Sequence, residues 1–255
     1  YGITNFCAPP TAIRIMITED LSKYDFRQLR HMCSAGEPLN PEAMNVWKEG
    51  TGLDIYDIYG QTETTMLVGN LKGIPIKPGS MGRPPFNYDV AIVDDEGKEL
   101  PPGEEGHIAA RIEPDYPVGL FKEYWKDPGE MAEVFKGDWY YTGDRGMKDE
   151  EGYFWFIGRA DDVIISSGYR IGPFEVESVL LEHPAVVESA AVASPDSTRG
   201  QIVKAFVVLA PGYQPSKELT RELQEHVKRV TAPYKYPRAI EYVEELPKTI
   251  SGKIK

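Results

Sequence analysis

Residues 29–60 read LRHMCSAGEPLNPEAMNVWKEGTGLDIYDIYG. The apolar alternation from Leu29 to Ala35 predicts a strand that ends in a turn at Gly36. Asn40-Pro41-Glu42 is a helix start: Asn caps, Pro takes the first helical position, and Glu sits at the positive end of the dipole. The helix turns Ala43, Met44, Val46 and Trp47 to a buried side and stops at Gly50 or Gly52. Leu53 to Tyr59 is a second strand. Strand, helix, strand in this order predicts a parallel α/β layer.

Working outward, Tyr1 to Pro10 reads as a strand leading into a loop. From about Lys77 the texture changes to short strands with turn chemistry between them: Tyr88 to Val93, His107 to Ile112 and Tyr153 to Ile157, with Asp94-Asp95-Glu96-Gly97 and Asp149-Glu150-Glu151-Gly152 as turns. That spacing predicts an antiparallel sheet or small barrel. Beyond Arg159 come a strand at Val163 to Ser166, a helix opened by Pro173, strands at Val186 to Ala193 and Lys204 to Leu209, a helix from Ser216 to Val230, and a strand at Ala239 to Val243. The helix carries Leu219, Leu223 and Val227 at i, i+4 and i+8. The expected organisation is mixed α/β and α+β. Part of a large domain spans 1–159, with an α/β layer over 1–76 and a β-rich part over 77–159. A small α+β domain over 160–255 follows.

Composition narrows the function classes. The chain has 255 residues, 28 Lys+Arg against 40 Asp+Glu and a net charge of −12, which argues against a general binder of nucleic acid or anionic membrane. The longest apolar run, Ala205 to Ala210, is far below a membrane span. Two cysteines, Cys7 and Cys33, supply neither a disulfide framework nor a metal quartet and suit a reducing compartment. Tyr1 stands where a start Met would, and no signal or transit peptide is visible, so targeting stays open between cytoplasm and mitochondrial matrix. Phosphate-loop, dinucleotide and serine-elbow motifs are missing, and the four histidines lack metal-ligand spacing.

Five segments hold chemistry-bearing residues at strand ends or turns. Ser34-Ala35-Gly36-Glu37-Pro38 offers a turn that lets backbone approach a flat ligand. Asp57-Ile58-Tyr59-Gly60-Gln61-Thr62-Glu63-Thr64 sets an aromatic ring, hydroxyls and a carboxylate at the carboxyl end of a strand, where ligands of open α/β sheets bind. Trp139-Tyr140-Tyr141-Thr142-Gly143-Asp144 presents a carboxylate after a glycine turn, suited to a sugar diol. Gly158-Arg159-Ala160-Asp161-Asp162, followed by Ser166 to Ile171, places charges between two textures, as a hinge would. Pro247-Lys248-Thr249-Ile250-Ser251-Gly252-Lys253 ends the chain with a lysine on a glycine-bearing loop. Each alone also reads as an ordinary polar turn or solvated charge cluster.

Together, in this order, the five resemble the signature set of the adenylate-forming superfamily: acyl-CoA synthetases, peptide-synthetase adenylation domains and luciferases. The resemblance runs from about Pro9 to Lys253 and is nearest to the medium-chain acyl-CoA synthetase branch, beside acetyl-CoA synthetase. It implies an AMP-forming acid–thiol ligase that uses ATP, Mg²⁺ and CoA. An acyl-adenylate would form first, and the CoA thiol would then displace AMP. An adenylation domain loading a carrier protein is the alternative, and a non-catalytic nucleotide-binding module is a third.

By the same resemblance, Gly36, Glu37 and Pro38, with Asp57, Ile58 and Tyr59, would hold adenine. Thr62 would touch phosphate, Glu63 would carry Mg²⁺, and Asp144, assisted by Arg159, would bind the ribose hydroxyls. Asp161 would be the hinge, Lys253 would bridge the carboxylate and α-phosphate, and Gly168 and Arg170 would serve the thioester step. Gly60 stands where acetate-specific relatives carry Trp, which implies an acyl pocket open to longer acids. The family's Ser/Thr/Gly-rich phosphate loop is not among these residues, which implies the carboxy-terminal portion of a longer enzyme, inactive alone. Ile165 departs from the polar residue common in relatives.

Overall fold

The computed structural model describes residues 2–249 and 254. The chain divides into two compact units, Tyr1–Phe156 and Ile157–Lys255.

The first unit opens with the expected parallel layer. Strands β1 (Asn5–Ala8), β2 (His31–Ala35) and β3 (Ile55–Gln61) run parallel, with Cys7 beside Cys33 and Ser34 beside Asp57. Helix α1 (Pro10–Met16) joins the first two strands and α2 (Pro41–Thr51) the next two. The sequence reading took Pro9-Pro10 as loop; Pro10 instead sits at the first helical position, where its missing N–H costs nothing. Pro41 opens α2 as expected and Gly52 closes it at φ 73°. Asn40, however, makes no side-chain cap bond, and its Oδ1 is buried without a partner. Ile13, Met32, Trp47 and Ile55 form the core between helix and sheet.

Strand β4 (Thr65–Gly69) folds back antiparallel on β3, with a register irregularity between Tyr59 and Gly60. This strand was not legible, because its residues follow a run of hydroxyls and carboxylates that reads as loop. The antiparallel sheet is built from β5 (Val90–Val93), β6 (Glu105–Arg111), β7 (Phe135–Lys136), β8 (Trp139–Lys148) and β9 (Phe154–Arg159), in the order β5-β6-β8-β7 with β9 also on β8. A short helix α3 (Pro128–Val134) precedes β7. Leu67, Ile92, Ile108, Tyr140 and Phe154 fill the core that β4 shares with this sheet.

The second unit is a sheet in the order β11-β10-β13-β12, with β14 (Ala239–Tyr242) parallel to β13. Its strands are β10 (Ile164–Ser166), β11 (Tyr169–Ile171), β12 (Val186–Asp196) and β13 (Gly200–Leu209); its helices are α4 (Pro173–Leu181) and α5 (Lys217–Val230). Ser216 caps α5 by accepting from the Leu219 amide. Leu219, Leu223 and Val227 are the buried stripe of α5, packed with Ile164, Ile171, Val176 and Leu180. Leu223 is fully buried, so Leu223→Ala should destabilise this unit by about 2–5 kcal/mol, the transfer and cavity cost of a core leucine, measurable by chemical denaturation.

Candidate functional site

Parallel strands β2 and β3 end side by side, with Ala35 paired to Ile58. The segments that follow them, Gly36 to Pro38 and Tyr59 to Glu63, therefore emerge at the carboxyl edge of the layer. Gly36 adopts φ 96°, a left-handed conformation that favours glycine. Glu37 is not free-standing: its Oε2 accepts from the Thr11 hydroxyl at 2.8 Å and from the Arg14 guanidinium at 3.3 Å, while Oε1 is buried without a partner.

The third motif reaches the same place by a different device. The sequence reading put Tyr141 to Asp144 in a turn; the structure puts them inside the ten-residue β8. His107 of β6 pairs with Arg145 and Ala109 with Tyr141, so Ile108 faces Thr142, Gly143 and Asp144. This bulge is held by Thr142, whose hydroxyl donates to the Ile108 carbonyl at 2.9 Å and accepts from the Asp144 amide at 3.1 Å. Gly143 absorbs the kink at φ 76°. Tyr59 donates its phenol proton to Asp144 Oδ2 at 2.6 Å, joining two motifs 85 residues apart in the chain. Burial, and then the Asp144 charge, raise Tyr59 well above the usual phenol range, so it remains a neutral donor.

The turn after β3 is fixed from several sides. The Thr64 amide donates to the Gln61 carbonyl at 3.1 Å, and the Gln61 amide donates to Thr64 Oγ1 at 3.0 Å. Gln61 spans to β8 with both ends of its amide, donating to the Thr142 carbonyl at 2.7 Å and accepting from Tyr140 at 2.8 Å. Tyr88 donates to the Thr64 carbonyl at 2.6 Å, and the Phe121 amide to the Glu63 carbonyl at 2.7 Å. Thr62 lies exposed at the tip. Glu63 Oε1 accepts from Tyr124 at 3.0 Å. Tyr88, Phe121 and Tyr124 had no functional signal in the sequence, and nothing in the local spacing of Tyr140 points from its motif to residues 61–64.

Gly60 lies at a close backbone crossing. A Cβ there would lie 1.7 Å from the Thr65 carbonyl oxygen. The β3–β4 hairpin backbones approach each other at the bulge, so a side chain at this position requires that backbone to shift. Ile58 is half-buried, and Asp57 is buried at 6% exposure with Oδ1 unpartnered. The carbonyl of Asp57 accepts from the Asn70 amide at 2.9 Å.

Of the remaining predicted residues, Arg159 lies 3.5 Å from Asp161, through Nε and Oδ1. Gly168, with Ser167 at φ 51° and itself at φ 84°, forms the tip of the β10–β11 hairpin, beside exposed Arg170. Lys253 lies outside the described residues. No cluster of three metal-ligating side chains occurs among the described residues.

Comparison with known proteins agrees with this architecture. The family model described as AMP-binding enzyme matches residues 1–125, and that of the AMP-binding enzyme C-terminal domain matches 175–253. The chain belongs to the AMP-binding, adenylate-forming enzymes. Among its relatives, rat mitochondrial acyl-coenzyme A synthetase ACSM3 is 58% identical and human mitochondrial ACSM4 60% identical; each match covers all of this chain and 44% of the relative. The chain thus spans less than half the length of the curated relatives it matches. The crystal structure of the anthranilate CoA ligase AuaEII with anthranoyl-AMP superposes at TM-score 0.89 and 40% identity, over 98% of this chain and 48% of that one. ATP-bound MatB from Rhodopseudomonas palustris gives 0.89 and 30%, over 98% and 49%.

The buried carboxyl of Asp57 makes stability depend on pH. Burial pushes it up to about 7, against a weaker opposing bond from the Ile58 amide. The folded state therefore holds a proton that the unfolded chain releases near pH 4. Stability should fall as pH rises from about 4 to about 7, by up to about 4 kcal/mol. Asp57→Asn should flatten that slope in denaturation curves recorded across the window.

Proposed function

We propose that the enzyme carrying this chain is an AMP-forming acyl-CoA synthetase acting on a medium-chain carboxylic acid. Support comes from the meeting of Tyr59 and Asp144 at the carboxyl edge of a parallel layer, in a chain whose relatives are acyl-coenzyme A synthetases.

In this reading the acid's carboxylate oxygen attacks the α-phosphorus of ATP, the bond to pyrophosphate breaks, and acyl-adenylate forms. The CoA thiolate then attacks the acyl carbon, and AMP leaves. Asp144, aligned by Tyr59, accepts from the ribose hydroxyls, with Arg159 assisting. Gly36, Glu37 and Pro38 line one side of the adenine, and the backbone of Asp57, Ile58 and Tyr59 the other. Thr62, exposed at the turn, donates to phosphate oxygens. Glu63 fits a cation: one carboxylate oxygen is engaged by Tyr124, and no partner for the other is found among the described residues. Magnesium bound there would neutralise phosphate charge. Lys253 supplies an ammonium between carboxylate and α-phosphate, Asp161 is the hinge, and Gly168 and Arg170 serve the thioester step. AuaEII, bound to anthranoyl-AMP, and MatB, bound to ATP, are consistent with the ligands proposed here. Since the curated relatives are mitochondrial, we place the enzyme in the mitochondrial matrix rather than the cytoplasm. No helix among the described residues is long and apolar enough to cross a membrane.

Two measurements on the complete enzyme test this reading. Asp144→Ala removes charged acceptors worth about 1.5–3 kcal/mol each, so AMP affinity in calorimetry should fall roughly a hundredfold; unchanged affinity would remove Asp144 from the ribose site. Lys253→Ala should slow pyrophosphate release by about 10²–10³, the cost of one pre-organised charge-stabilising donor. Thioester formation from supplied acyl-adenylate should stay near the parent rate. Equal losses in both half-reactions would refute that division of roles.

A further inference from the structure

We propose that Tyr124 is a positioning residue for Glu63: its phenol holds one carboxylate oxygen so that the other is presented as a single, oriented acceptor for the divalent cation that accompanies ATP. The inference rests on the reading of Glu63 given above and goes beyond it by assigning the orientation of that carboxylate to a residue 61 positions away.

The turn that carries Glu63 is already fixed without Tyr124. Its backbone is held through the Glu63 carbonyl by the Phe121 amide and through the Thr64 carbonyl by Tyr88. Gln61 anchors its start to Thr142 and Tyr140. None of these bonds touches the Glu63 carboxylate. A glutamate side chain has three rotatable bonds, so a fixed backbone alone does not orient its oxygens. Tyr124 supplies that constraint through one bond of 3.0 Å to Oε1.

Tyr124 is itself well held. Its ring packs on Phe121, with centroids 4.6 Å apart, and Phe121 in turn contacts Phe135 and Tyr140. The Tyr124 amide faces the sulfur of Met131 at 3.3 Å. Ring packing therefore sets where the hydroxyl lies. Burial, and next the bond to Glu63, push the phenol up to about 12, so it stays protonated and can only donate to the carboxylate near neutral pH. The hydroxyl bonds Glu63 and also faces the hydroxyl of Tyr140; replacement by Phe removes it while keeping the ring.

The test titrates Mn²⁺ by electron paramagnetic resonance into the complete enzyme with an ATP analogue whose α,β-bridge is methylene. Tyr124→Phe should raise the Mn²⁺ dissociation constant by about 10–100-fold, the range expected when the hydrogen-bond partner of a metal-ligating side chain is lost. Cation-free AMP affinity and the melting temperature should stay at the parent values, which a purely structural role would not allow. Unchanged Mn²⁺ affinity in Tyr124→Phe, alongside weakened affinity in Glu63→Gln, would overturn the role of Tyr124 and leave that of Glu63. A parallel loss of AMP affinity would also overturn it, by showing a general collapse of the site. Unchanged Mn²⁺ affinity in Glu63→Gln would overturn the assignment of Glu63, and the inference with it.

Discussion

The 2.6 Å hydrogen bond from Tyr59 to Asp144 is where the two halves of the first unit become one site. Tyr59 lies near the end of a strand of the parallel layer, and Asp144 sits on a bulge of the antiparallel sheet. Neither sheet alone presents both groups. Asp144 is 5% exposed, and a carboxylate so buried needs a donor to remain charged. Tyr59 is a donor whose own ionisation is suppressed by the same burial. The pair is thus consistent in both directions, and Thr142, which holds the bulge, sets where the carboxylate lies.

Two buried carboxyls in one unit have different hydrogen-bond partners. Asp144 accepts a hydrogen bond from the Tyr59 phenol and sits on a backbone fixed by Thr142. Asp57 has an unpartnered buried oxygen and is driven toward the neutral form. Asp57 and Tyr59 are two positions apart, so strand alternation puts both on the same face of β3, yet their surroundings differ. The net charge of −12 says nothing of this difference.

The layer order was legible because helix starts at prolines and the alternation of apolar residues are local signals. Leu219, Leu223 and Val227 were read as one buried face and are one. Reading failed where a local pattern has two meanings. Gly143 looked like a turn and is a bulge inside a strand, because a sequence does not show that Ile108 stands opposite. The closeness of Gly60 to the Thr65 carbonyl was not legible either, because it depends on β4 folding back. Tyr124 was invisible for the same reason: its importance lies in Glu63, 61 residues away.

That distance has a kinetic side. The bonds that shape residues 59–64 close loops of 61 to 85 residues, through Tyr124, Tyr140, Thr142 and Asp144. Long loops close late, because their entropy is lost before any contact is gained. The β12–β13 hairpin, whose paired ends Asp196 and Gly200 are neighbours in the chain, has no such delay. During synthesis, residues 59–64 leave the ribosome long before the strand that fixes them. The polypeptide must therefore carry this segment unformed until residue 144 has emerged, and any chaperone that meets the nascent chain in that interval meets the exposed tyrosines of a site not yet assembled.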